Sequence, residues 1–202
     1  MADLGKWRVQ IRRDFDDLFQ PPGEHDFRIY TDPTAKIPHH QPYRMTQSER
    51  KEFEIQIKKL LANGWVTDSH SRYAALIIFV KNPDATLQMC VDYRGLNAIM
   101  AKDRYPLPYI EDLLDKLYGA RVFTKLDLAS GYHQVRVHSD DCHKTAFIAA
   151  DGFYEYKVIP FGLANAPAAF MHMMHKILHP HHQNAIVYLD NVLIISGTHV
   201  CV

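Results

Sequence analysis

Residues Ala185–Leu189 and Val192–Ile195 are two short apolar runs with only Asp190-Asn191 between them, so the chain must reverse there. Asp and Asn both tolerate positive φ, and Asp190-Asn191 is expected to form the two-residue turn of an antiparallel hairpin. A third apolar run, Val122–Leu128, carries Asp127 near its end. Strand ends that gather acids hold carboxylates on rigid backbone, the setting in which hard cations such as Mg²⁺ take oxygen ligands. Taken singly, each motif is also explained by a strand that ends on an acid and a turn chosen for its φ.

The rest of the chain mixes helices with antiparallel strand pairs. Residues 1–44 are broken by Pro21, Pro22, Pro33, Pro38 and Pro42 and read as an irregular lead-in or linker. Thr46-Gln-Ser-Glu49 is a capping-box pattern. Phe53, Ile57, Leu60 and Leu61 then recur on one helical face until Asn63-Gly64. Ala74–Val80 and Thr86–Val91 flank a turn at Asn82–Ala85, a hairpin pattern. A short amphipathic helix is expected over Tyr109–Tyr118, and strands over Val122–Leu128, His133–Val137, Thr145–Ala149 and Phe153–Ile159. A helix of about 14 residues follows Pro160–Asn165. This alternation argues an α+β fold. With 202 residues, 47% of them hydrophobic, the chain can bury one large core or two small ones.

Charge and cysteine content narrow the chemistry. Lys+Arg and Asp+Glu are equal at 23 each, so bulk charge gives no argument for nucleic-acid binding and leaves only a local basic face. Cys90, Cys142 and Cys201 form neither a disulfide framework nor a zinc motif, which suits a reducing compartment. The first residues lack a secretory-signal profile, and no uncharged run is long enough to span a membrane, so an intracellular protein is expected. His172, His175 and His179 share a helix face near His181 and His182. No Cys or acidic partner flanks them, and a solvated helix surface explains them as well as a metal does.

Seven blocks then occur in one order. They are Pro42-Tyr-Arg-Met45, Met89–Asn97, Arg104–Pro108, Lys125–Gln134, Lys144-Thr-Ala-Phe147, Pro160–Pro167 and Tyr188-Leu-Asp-Asn191. Together, over about residues 25–197, they resemble the reverse transcriptase of gypsy-type LTR retrotransposons. The resemblance implies the fingers and palm of a right-hand polymerase over residues 45–197. Fingers lie near 45–105 and 140–165, and a palm of antiparallel sheet backed by helices lies around 107–130 and 165–197.

It implies RNA-directed DNA polymerisation with two Mg²⁺ ions, for which Mn²⁺ can substitute. Asp127 resembles the carboxylate that bridges both metals, with the Leu128 carbonyl as a further ligand. Asp190 resembles the first carboxylate of the second metal motif, followed by Asn191. Tyr132 resembles the steric gate against a ribose 2′-hydroxyl, and Phe161 and Gly162 the floor of the nucleotide pocket. Lys81 is expected to contact the nucleotide, and Arg94 resembles a template contact, with an ion pair to Asp92 or Asp103 as its alternative. The implied partners are an RNA or DNA template with primer, deoxynucleoside triphosphates, and the RNase H and integrase parts of a retroelement polyprotein, with no membrane. The implied location is the cytoplasm or a retroelement particle, with the nucleus as an alternative.

Departures from the family fall on the chemistry. The second aspartate of the Asp190 motif is replaced by Asn191, which keeps an oxygen ligand but loses a charge. The fingers hairpin of the family grips the triphosphate with Lys and Arg, and the matching positions are Asn82 and Gln88, with Lys81 next door. Gln lacks the charged fork that Arg offers a phosphate. Residues 198–202 read as a truncated tail where a thumb is expected. Uncovered palm edges are therefore expected to promote self-association. The rival expectation is a non-catalytic retroelement remnant, or a co-opted module that binds nucleic acid or protein.

Overall fold

The computed structural model describes residues 26–106, 108–128, 131–149, 151–189 and 191–196, with Asp127 described through its backbone. In chain order the elements are α1 (Gln47–Ala62), β1 (Val66–Asp68), β2 (Ala75–Lys81), β3 (Leu87–Asp92), α2 (Arg94–Ile99), α3 (Ile110–Asp115), β4 (Val122–Asp127), β5 (Phe147–Ile148), β6 (Phe153–Tyr156), α4 (Ala166–Leu178), β7 (Ala185–Tyr188) and β8 (Asn191–Ser196). They fall into two compact units. One comprises Asp26–Lys102 and Tyr132–Ala166; the other comprises Asp103–Gly131 and the described part of Pro167–Val202. The chain is α+β, as expected.

In the first unit, α1 begins where its cap dictates. The Thr46 side chain accepts from the Glu49 N–H, and the Glu49 carboxylate accepts from the Thr46 N–H at 2.8 Å. Phe53 and Ile57, one turn apart, bury against Val66, Ile77, Phe147 and Tyr156. The strands that receive them form a five-stranded sheet in the order β1-β6-β5-β2-β3, antiparallel except for β2 with β5. β3 is an edge strand. The Gln56 amide lies along it, donating to Leu87 O at 2.8 Å and accepting from the Met89 N–H at 3.1 Å. That covers backbone groups an exposed edge would otherwise offer to another chain.

Residues 26–44 form no helix or strand of their own, yet they are tied to this unit by bridges of Phe27 to Val137, Thr31 to Met100 and His39 to Ala74. Beside them, Asp141 is 2% exposed. It accepts from the Ile29 N–H at 3.1 Å and from Lys144 Nζ at 2.7 Å, and pairs with Arg28 Nε at 2.8 Å. Burial pushes its carboxyl up, but the Lys144 and Ile29 hydrogen bonds and the two cations outweigh that and hold it below the usual range. A depressed carboxyl stabilises the fold above its unfolded pKa, and the benefit is lost as pH falls through the folded one. Asp141→Asn is therefore expected to cost about 2 kcal/mol at neutral pH, because it removes the charge that two partly buried cations share while each keeps a second partner, and to cost less in acid. Urea midpoints at pH 7 and pH 3.5 check this; equal losses at both would contradict it.

Three expected strands are corrected. Over His133–Val137 the chain forms a 3₁₀ turn, Gly131–Gln134, followed by single bridges at Arg136 and Val137. Over Thr145–Ala149 a 3₁₀ turn, Cys142–Thr145, leaves only the two residues of β5, and the strand expected to reach Ile159 stops at Tyr156. The Thr145 hydroxyl explains the latter two. It donates to Cys142 O at 2.7 Å and accepts from the Tyr156 N–H at 2.9 Å, doing with a side chain what a ladder would do with backbone.

The second unit is a three-stranded antiparallel sheet, β4-β8-β7, backed by α4. Phe170, Met174 and Leu178 recur every fourth residue and are buried with Met171, while His172 and Lys176 point outward. Tyr105 lies between two of the histidines. Its hydroxyl hydrogen-bonds with His175 Nδ1 at 2.7 Å, and its ring lies 5.3 Å from that of His172. Among the described residues no helix is long and apolar enough to cross a membrane.

Candidate active site

In the second unit, β8 is the central strand and fixes what stands beside what. Its register runs from Val122↔Ser196 to Asp127↔Asn191 against β4, and from Ala185↔Ile194 to Tyr188↔Asn191 against β7. Tyr188 and Asn191 are therefore the closing pair of the hairpin. Asn191 is thus a strand residue, not the second turn residue that the sequence suggests, and Leu189 lies in the turn.

Leu189 takes the positive φ, 53°, that a hairpin of this length needs at its first turn residue. A leucine in that region is strained by about 1–3 kcal/mol, a cost concentrated in proteins at functional turns. Part of the restraint comes from α4, since the Leu189 N–H points at Met171 Sδ, 3.1 Å away. Asp190 itself lies outside the described residues. The Cα of Asp127 is paired with that of Asn191, and half-buried Leu128 follows directly. Backbone register thus brings Asp127, Leu128 and Asn191 to one end of the sheet, at the tip of a strained turn. Carboxylate, carbonyl and amide oxygens are hard donors, and that donor set suits Mg²⁺.

In the first unit, the 3₁₀ turn Gly131–Gln134 carries two rings to one place. Tyr132 and His133 each meet the Phe161 ring edge-on, at centroid distances of 5.3 and 5.0 Å and an interplanar angle of 88°. Successive residues of a strand point to opposite faces and could not share a contact in this way. Behind them, His133 stacks on Trp65 at 4.6 Å and lies parallel to Tyr156 at 6.1 Å. His133 is 8% exposed and burial pushes its pKa down to about 4, so its ring is neutral at physiological pH. Unfolding frees the ring to protonate near its ordinary 6.5, so the unfolded state binds more protons between the two values and stability falls as pH drops through that window. His133→Phe is expected to flatten this part of the stability profile, read as urea midpoints between pH 7 and pH 5. An unchanged slope would contradict it.

Phe161 is 53% exposed and projects from a tightly held turn. Gly162 follows at φ +95°, where a Cβ would lie 3.4 Å from Val91 O and 3.6 Å from Tyr93 Cδ2, so only glycine fits without strain. Asn97 clamps the turn, donating to Gly162 O at 2.8 Å and accepting from the Ala164 N–H at 2.8 Å. Asn165 donates to Ala101 O at 2.7 Å.

Arg94 takes the ion pair weighed as its alternative. Its guanidinium grips Asp92 with Nη2–Oδ2 at 2.6 Å and Nε–Oδ1 at 2.9 Å, although the Arg94 side chain is 88% exposed. The Arg94 hydrogen bond holds the Asp92 carboxyl below its usual range. In the hairpin, Asn82 closes the loop, its amide donating to Thr86 Oγ1 at 2.9 Å. Lys81 pairs with Leu87 and Gln88 with Val80, so Lys81 and Gln88 stand on opposite faces of the β2–β3 ribbon. Lys81 is the single basic residue from Ala75 to Asp92 and is exposed.

Asp127, Leu128 and Asn191 therefore assemble within one unit, and Tyr132, Phe161 and Gly162 within the other. Three contributors escape a sequence reading: Asn97, His133 and Trp65. Asn97 and His133 stand inside motif blocks but carry no local signal of a contact so far along the chain, and Trp65 lies outside every block.

Residues 80–200 match the family described as reverse transcriptase (RNA-dependent DNA polymerase). The chain is 39% identical over 160 residues to the retrovirus-related Pol polyprotein from transposon 297 of Drosophila melanogaster, a match covering 76% of this chain and 15% of that protein. It is 39% identical over 155 residues to the transposon Tf2-7 polyprotein of Schizosaccharomyces pombe, covering 76% of this chain and 12% of the polyprotein. The chain thus spans a small part of the length of these relatives. Its fold is similar to that of the prototype foamy virus protease-reverse transcriptase, with a TM-score of 0.75 at 23% identity over 96% of this chain and 27% of that one. With the family motif spanning both the hairpin of the first unit and the strained turn of the second, the chain belongs to the reverse transcriptase family.

Proposed function

We propose that the chain is the fingers and palm of a gypsy-type retrotransposon reverse transcriptase and carries out RNA-directed DNA polymerisation. The observation that supports this most is the register that pairs Asp127 with Asn191, three residues after Tyr188, its partner in the same hairpin. Asp127, the Leu128 carbonyl, Asp190 and Asn191 would hold two divalent cations, Mg²⁺ with Mn²⁺ as substitute. When bound, the metals supply activation of a primer 3′-hydroxyl and charge stabilisation on the departing pyrophosphate.

The protein's own residues do the rest. Tyr132 presents its ring where a ribose 2′-hydroxyl would enter and so selects deoxynucleotides. Phe161 and Gly162 form the pocket floor, and Lys81 meets the triphosphate. Arg94 contacts the template after sharing or leaving Asp92. The partners are an RNA or DNA template with primer, deoxynucleoside triphosphates, and the RNase H and integrase portions of a polyprotein, in the cytoplasm or a retroelement particle.

A second reading, a non-catalytic retroelement remnant, is favoured by the amide at Asn191 and by the neutral, exposed Gln88 on the hairpin. Positioning and electrostatics carry phosphoryl transfer, so charge lost at both the metal set and the phosphate grip weakens catalysis. Incorporation of labelled dTMP on an oligo(dT)-primed poly(rA) template separates the two. Incorporation that requires the template supports the polymerase. None in either metal supports the remnant.

A further inference from the structure

We infer that His133 is a positioning residue for the nucleotide pocket: it is the mount that holds the Phe161 ring in place. This rests on the polymerase reading above. A phenylalanine that is 53% exposed is packed on one side only, so its χ angles depend on the few rings it touches. The ring is held on one side by two edge contacts, from Tyr132 at 5.3 Å and His133 at 5.0 Å. Tyr132 is itself proposed to face the substrate. His133 continues into the interior, stacked on Trp65 and parallel to Tyr156, whose own ring is 5% exposed.

Hydrogen bonding does not explain an imidazole at this position. Among the described residues His133 Nδ1 is buried with no hydrogen-bond partner, which is unfavourable for a buried polar atom. What the site uses is a flat, neutral ring of the right thickness. The backbone on both sides is fixed independently, by the 3₁₀ turn at Gly131–Gln134 and by the Asn97 clamp on Gly162 and Ala164. Side-chain packing through Tyr132 and His133 then sets the placement of Phe161. Loss of the His133 ring leaves both loops in place and removes the contact that ties Phe161 to the Trp65 stack.

The test is a double-mutant cycle read as kcat and KM for dTTP on the primed poly(rA) template, with melting temperatures for every variant. His133→Ala is expected to raise KM about tenfold with kcat within about threefold, the mark of weakened binding rather than altered chemistry. Phe161→Ala is expected to do the same, and the double variant no more than Phe161→Ala alone, since the mount has no use once its ring is gone. His133→Phe is expected to restore the KM of the parent. A lower melting temperature with unchanged KM, or additive effects in the double variant, would make His133 a core residue only and overturn the inference. If His133→Ala does not fold, His133→Leu takes its place in the cycle. Absence of incorporation by the parent protein overturns the polymerase reading and this inference with it, whereas a working parent with an indifferent His133 overturns the inference alone.

Discussion

Asp127→Asn is expected to reduce template-directed incorporation by about 10³-fold or more while leaving the melting temperature nearly unchanged. The size of the effect follows from the charge left at the site. The register places Asp127, the last residue of β4, opposite Asn191, and Asn191 is already neutral. Of the three side chains proposed to ligate metal, Asp127 and Asp190 carry all the negative charge. Removing one leaves a single carboxylate to balance two dications. Asn is nearly the same size as Asp and stands at a strand end, so the ladder from Val122↔Ser196 inward has no reason to change. Single-turnover extension read beside thermal melting checks both halves. Full activity in the variant would remove Asp127 from the mechanism, and a collapsed fold would make it structural.

The second large effect has the opposite sign. Asn191→Asp is expected to lower the Mg²⁺ concentration for half-maximal extension about tenfold. A unit charge about 4 Å from a cation is worth several kcal/mol at the effective dielectric of a partly exposed site. Repulsion from Asp127 and Asp190 cancels much of that, and a net of about 1.4 kcal/mol corresponds to the tenfold change. The turn geometry tolerates the change, since the positive φ belongs to Leu189 and position 191 is already in the strand. A Mg²⁺ titration of extension rate checks this; a midpoint that does not move would mean residue 191 does not reach the metals.

How much of this was legible in the chain depends on where the signal lay. The capping box at Thr46 and the glycine at Gly64, at φ +69°, bracket α1 within a residue or two, because caps are local chemistry. β2, β3 and α4 follow from periodicity in the same way. The β7–β8 hairpin differs from its local pattern, because Asn191 stands in the strand. Local preference put the turn on Asp190-Asn191, but pairing of β8 with both β4 and β7 overrides it and forces Leu189 into a conformation its own side chain disfavours. The strand expected at His133–Val137 failed for a related reason. Alternating apolar residues there suit a strand, yet the two rings at Tyr132 and His133 converge on Phe161, which only a tight turn allows. Asn97 and Trp65 act on residues more than sixty positions away, and such contacts leave no trace in a local pattern.

Joining of deoxynucleotides on an RNA template is proposed to occur where Asp127 pairs with Asn191 beside Leu189. Its most direct test is gel-resolved extension of a labelled primer on RNA by the purified chain, first in Mg²⁺ and then in Mn²⁺. Template-directed lengthening is expected, stronger in the metal that binds tighter. No lengthening in either metal, even after Asn191→Asp returns the missing charge, would contradict it and leave the non-catalytic reading standing.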